Sequence, residues 1–179
     1  MYFLLYKTNF IILLLFDIIK VVIKMKKRIF ILAGIVSLID QVVKLLVSNF
    51  LPKEGITIIK DFFYLSYVEN DGAAFGMFSG NRWFLIIISI LALYAIIKYF
   101  ILDVKVTKVE FLAYGLLLGG IIGNLIDRVL YGYVIDFISF KIGTYYFPIF
   151  NIADSVMIIG TVLIVLHLIN NAIKQRRQK

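Results

Sequence analysis

The sequence predicts a membrane protein, mainly α, built as a four-transmembrane-helix bundle with a small extracytoplasmic β platform. Three observations predict it. Of the residues, 62% are hydrophobic and 17% charged. Four apolar segments are each long enough for a bilayer core, which takes about 20 residues of helix. The basic residues gather beside those segments rather than along one polar face. A soluble fold of 179 residues could not hide that much apolar surface. Each ionisable residue inside a span is therefore an exception that needs a reason.

The four segments are 29–50, 83–102, 109–127 and 149–170. The run KMKKR at 24–28, the group Lys98, Lys105 and Lys108, and the tail KQRRQK at 174–179 mark one side as basic, hence cytoplasmic by the positive-inside rule. Both ends of the four-span core then lie inside, and the connections 51–82 and 128–148 lie outside. Within 56–69, ITIIKDFFYLSYVE is rich in β-branched and aromatic residues, which predicts a strand-forming platform at the outer interface. Residues 1–24 are apolar but interrupted by Lys7, Asp17 and Lys20, and they precede Met25 and its basic run. An over-extended reading frame is expected there, with an extra span or interfacial helix as the alternative; no small-residue cleavage site marks a signal peptide. The chain thus divides into an extension, 1–24, and a working domain, 25–179.

Composition excludes several chemistries. With no cysteine there is no disulfide, thiolate metal site or cysteine nucleophile. The single histidine, His167, stands in VLIVLHLI without a second one nearby, so a packed or interfacial histidine is expected rather than a metal ligand. No metal or other cofactor is expected. The net charge of +8 is accounted for by membrane topology, and no nucleic-acid partner is expected.

The remaining polar residues concentrate near the outer ends of the spans. In the third segment Gly115, Gly119 and Gly123 recur four apart, a spacing that lets another helix approach closely, and Asn124, Asp127 and Arg128 follow. Asp127 and Arg128 read equally well as a pair that neutralises itself at the end of the span. The fourth segment opens FPIFNIADS, where Pro148 suits a helix start and Asn151 and Asp154 share one helical face. Asp154 stands too far into the apolar run to be read first as a cap. Asp136 is the only charge in YGYVIDFISF, pressed towards the interface, where it could face Asp154 across a cleft. Two carboxyls sharing one proton can divide peptide hydrolysis between a base for water and an acid for the carbonyl or amine. Asp40 and Lys44 are spaced i, i+4, and Asn70 precedes Gly72 in YVENDGAAFGMF. A small transporter or channel subunit would carry its acids at several depths, and an assembly factor using the glycine stripe would leave Asp136 and Asp154 without purpose.

Five blocks in order, DQVVK, ENDGAAFG, GGIIGNLIDR, YVIDFISF and FPIFNIADS, resemble the bacterial lipoprotein signal peptidases, also called signal peptidase II. The resemblance runs from Met25 to the tail. It implies a four-helix membrane aspartic endopeptidase that removes the signal peptide of diacylglyceryl-modified prolipoproteins just before the lipidated cysteine. It implies Asp136 and Asp154 as the catalytic pair, a choice that spacing alone does not make over Asp127. Asp40, Lys44, Asn70, Asn124, Asp127, Arg128 and Asn151 fall at motif positions that bind substrate or brace the site. Asp71 falls where the family varies and receives no role. The implied partners are lipid-modified prolipoproteins and membrane lipids. The enzyme is expected to be a monomer in the bacterial cytoplasmic (inner) membrane, with its active site at the extracytoplasmic face.

Overall fold

A computed structural model of the chain describes residues 2–102 and 106–178, with side-chain surroundings for 26–73, 75–99 and 106–178. Lys105, one of the expected inner-side charges, lies outside the described residues, as do the side chains of the 1–24 extension. The fold is four long apolar helices and a small antiparallel sheet. Helix α1 spans Tyr2–Phe50, β1 Ile56–Ile59, β2 Phe63–Asn70 and α2 Arg82–Ala95, which runs on into a π-helical turn at Ile96–Leu102. Then come α3 at Lys108–Leu130, β3 at Val134–Ile142, β4 at Tyr145–Tyr146 and α4 at Ile152–Arg177. Among the described residues, the stretches long and apolar enough to cross a membrane are Lys26–Phe50, Arg82–Tyr99, Lys108–Leu130 and Ile152–Arg177.

Two of the helices that build the site, α3 and α4, begin with reciprocal caps. Thr107 accepts from the Glu110 amide while the Glu110 carboxylate accepts from the Thr107 amide, and Asn151 and Asp154 repeat the arrangement on α4. Each box satisfies two amide groups that the first helical turn leaves without partners. At its other end α4 carries Lys174, Arg176 and Arg177 in the last turn, where the helix dipole favours cations.

Helix α3 is the most buried of the four spans and packs against both α1 and α4. Its glycines make that approach close. The stripe Gly115, Gly119 and Gly123 faces α1: a methyl group on Gly119 would stand 2.6 Å from the Val36 side chain and 2.9 Å from the Ala33 carbonyl oxygen. Gly120 faces the other way, onto Ala153 and Met157 of α4, and Gly160 of α4 closes the same contact against the Ala113 carbonyl. The outward surfaces carry Ile31, Leu38, Leu45, Ile87, Leu91 and Leu166, all exposed, as a hydrocarbon solvent requires.

The sheet runs β1-β2-β3-β4, antiparallel throughout. The expected platform covered only 56–69, but its second half comes from the next connection. β3 pairs with β2 in a register that sets Asp136 opposite Val68 and Val134 opposite Asn70. Apart from Tyr133, the β-branched and aromatic residues of YVIDFISF are thus strand residues. Pro148 does not start α4. It lies three residues before the Asn151 cap, in an extended run whose Phe150 bridges Ile138 of β3. Extended backbone suits the fixed φ of proline as well as a helix start does.

Candidate active site

All nine residues singled out from the sequence meet where the sheet joins the helix ends, and they form two linked clusters. In the first, Lys44 of α1 is 1% exposed and its ammonium sits 2.8 Å from Asp40 and 2.8 Å from Asp127 of α3. The other oxygen of Asp40 accepts from the Ala153 amide at 2.9 Å, tying α1 to the start of α4. Asp127 also accepts from Gln41 at 2.7 Å and from the Ile135 amide at 3.2 Å, tying α3 to α1 and to β3. A lysine this deeply buried holds its charge only against carboxylates.

The second cluster holds the other two acids. Asp136 accepts from Asn151 Nδ2 at 2.6 Å through one oxygen and from Asn70 Nδ2 at 2.8 Å through the other. Asp154 accepts from Asn124 Nδ2 at 2.8 Å and from the Asn151 amide at 3.2 Å. Asn151 therefore touches both acids, one with its side chain and one with its backbone. Both acids line a cleft of about 310 Å³ whose remaining wall is mostly apolar, with Phe75, Val134, Phe147, Phe150, Met157 and Ile158. The Asp136 carboxyl, on β3, is pushed up to about 6. Burial is the main cause; the charge of Asp154 adds to it, while the bonds from Asn70 and Asn151 and the charge of Lys44 oppose it.

Two readings of the sequence are corrected here. Asp127 and Arg128 do not neutralise each other: consecutive helix residues point about 100° apart. Asp127 turns to Lys44, and Arg128 turns towards the cleft wall, donating to the Gly72 carbonyl at 3.0 Å. Asp154 does cap its helix. One of its oxygens closes the Asn151 box while the other faces Asn124, so capping and site membership coexist in one carboxylate.

Gln41 was missed. It donates to Asp127 and also to the Gly123 carbonyl at 3.1 Å, and a polar side chain inside an apolar run was the signal that could have found it. Gly72 was noted only as a permissive position. Its amide donates to Asn70 Oδ1 at 3.0 Å, and a methyl group there would stand 2.8 Å from the Met77 carbonyl oxygen.

Four long apolar helices, with the buried Asp136 and the half-buried Asp154 lining one apolar-walled cleft, define the class of a multi-span membrane protein. The profile of the signal peptidase (SPase) II family matches residues 32–170, and the chain belongs to that family. It is 43% identical over 141 residues to a lipoprotein signal peptidase of Halothermothrix orenii, covering 78% of this chain and 94% of that one. Against a lipoprotein signal peptidase of Clostridium tetani it is 43% identical over 143 residues, covering 79% and 90%. A bacterial membrane enzyme solved by the in meso method superposes with a TM-score of 0.74 at 39% identity, covering 80% of this chain and 88% of that one. A second such structure gives 0.70 at 40% identity, covering 78% and 91%. Family membership makes the protein a peptidase.

Proposed function

We propose that the protein is a membrane-embedded aspartic endopeptidase that removes the signal peptide from diacylglyceryl-modified prolipoproteins, cleaving before the lipidated cysteine with water activated by Asp136 and Asp154. The observation that carries the reading is the shared cleft: two carboxylates, held by the same Asn151, line one apolar-walled space. Asp136, pushed up to about 6, is the member suited to hold the shared proton. Asp154 takes a proton from water as the hydroxyl oxygen bonds to the scissile carbonyl carbon, and Asp136 gives its proton to the carbonyl oxygen. Collapse of the tetrahedral intermediate breaks the C–N bond, and the departing amine takes up a proton from the pair.

The apolar wall suits a signal-peptide backbone in extended form, while the diacylglyceryl chains stay in the outer leaflet. Anchoring the substrate in the same membrane replaces much of the cost of encounter. The basic runs at 26–28 and 174–177 flank the span ends remote from the sheet, so the positive-inside rule supports a cytoplasmic location for those ends. The sheet and cleft then stand at the extracytoplasmic face of the cytoplasmic membrane, with the 25–179 portion working as a monomer.

The test is cleavage of a lipidated prolipoprotein by the purified enzyme and by D136N and D154N. Both variants insert into the membrane and neither cleaves. Full activity in either one overturns the pair. The same assay on a chain beginning at Met25 shows whether the extension matters; unchanged cleavage is expected.

A further inference from the structure

We propose that Lys44 is a positioning residue for this reaction, acting on Asp154 through the side-chain amide of Asn124. The inference rests on the two-aspartate reading above. The Lys44 ammonium stands in ion pairs with Asp40 and Asp127, each at 2.8 Å, and donates a hydrogen bond to Asn124 Oδ1 at 2.9 Å. One carboxylate would be enough to neutralise a buried lysine. The second holds the ammonium between α1 and α3, with its hydrogen bond directed at Asn124.

That aim settles which way the Asn124 amide faces. Its oxygen receives both Lys44 Nζ and, at 3.2 Å, Asn151 Nδ2. Turning the amide over would set its NH2 group against an ammonium, so Nδ2 stays directed at Asp154. The other two asparagines are fixed in the same manner. The Asn151 oxygen accepts from the Asp154 amide at 2.9 Å, and the Asn70 oxygen accepts from the Gly72 amide at 3.0 Å. Each amide oxygen is occupied elsewhere, and the two acids meet N–H donors alone on their protein side. A carboxyl proton has no acceptor among these amides and is left on the cleft side, where the substrate carbonyl and the water arrive. Lys44 holds Asp154 as the partner that accepts a proton, by keeping a polarised N–H on it.

Lys44 lines a separate cavity and not the cleft itself, so it does not touch the substrate. Its removal therefore lowers kcat and leaves KM unchanged. A single Lys44 replacement would strand two buried acids, so the experiment uses charge-balanced variants of the full chain in detergent micelles: D40N, which keeps one neutral Lys44–Asp127 pair, against D40N/K44M/D127N, which removes the pair whole. The triple variant loses about tenfold or more in kcat relative to D40N, the scale of a lost hydrogen bond to a charged group, with KM within about twofold. Adding N124A to D40N costs the same factor, and adding it to the triple variant costs nothing more, because two residues acting through one contact are not additive. A kcat equal to that of D40N, or additive losses, overturns the proposal. Should the triple variant show no cooperative thermal transition, N124A alone decides: kcat lowered at constant KM supports the relay, and unchanged kcat ends it. Failure of the catalytic pair itself reads differently, as activity retained in D136N or D154N.

Discussion

The two carboxylate clusters lie side by side, each with two aspartates and each drawing on α3, yet they are built to opposite ends. Asp40 and Asp127 share a lysine, are wholly buried and take no part in the lining of the Asp136–Asp154 cleft. Asp136 and Asp154 are held by neutral amides and line a cleft. A direct counter-ion balances the charge of a carboxylate and makes it a tie between helices. An amide donor orients a carboxylate without supplying a counter-charge, and here it leaves the carboxylate open to the cleft. Burial of acids in a membrane protein thus divides by the charge of the partner, and the division separates what holds the helices from what is proposed to react.

The comparison breaks most sharply by substitution on the cleft side. D136N and D154N each lower the rate of prolipoprotein cleavage by about a thousandfold or more, within the reach of acid–base catalysis, while thermal unfolding in detergent stays close to that of the parent. A large loss of stability with residual cleavage would reverse the assignment of the two clusters. On the other side, K44M leaves two buried acids without their cation and costs about 3–5 kcal/mol of stability, read as a lowered unfolding midpoint. K44M unfolding at the same midpoint as D154N would show that the lysine ties nothing together.

A change of pH sharpens the contrast without any substitution. Burial raises the Asp136 carboxyl, so its proton is present below about 6 and leaves above it. With Asp136 as the acid, kcat/KM falls about tenfold per pH unit as pH rises beyond that point. A rate that stays flat from pH 6 to about pH 8 would remove Asp136 from the acid role. The smallest effect concerns the packing beneath both clusters. G119A forces a methyl group against Val36 and the Ala33 carbonyl and costs about 1–3 kcal/mol. G34A, with open space where the methyl would stand, changes stability by about 1 kcal/mol or less. Equal unfolding midpoints for the two variants would refute the close approach of α1 and α3.

Much of this was legible in the chain, and the reasons are local. The four spans announce themselves by hydropathy because lipid forces every outward residue to be apolar, and the segments 29–50, 83–102, 109–127 and 149–170 overlap the four helices. The glycine stripe at 115, 119 and 123 pointed to a close helix because spacing of four repeats along one face. The candidate polar residues of the spans stood out against an apolar background, whereas Asn70 stands between Glu69 and Asp71. The β3 strand was harder. A short run such as VIDFISFKI carries β-branched and aromatic residues whether it is a strand or an interfacial loop, and its partner β2 lies more than sixty residues earlier. The Asn151–Asp154 box was legible as N-x-x-D, but a carboxylate that caps a helix with one oxygen and joins a site with the other gives two true readings of one residue.

The sequence by itself determined the membrane class, the four spans, the absence of cysteine chemistry and the short roster of polar residues from which any site had to be drawn. These follow from hydropathy and residue type, which act residue by residue. Only the tertiary structure decided the partners: that Asp127 turns to Lys44 and not to its neighbour Arg128, and that Asp136 and Asp154 meet around Asn151. Partnership in a buried cluster depends on which helix faces and which strand register come together across eighty residues of chain, and no local pattern encodes that.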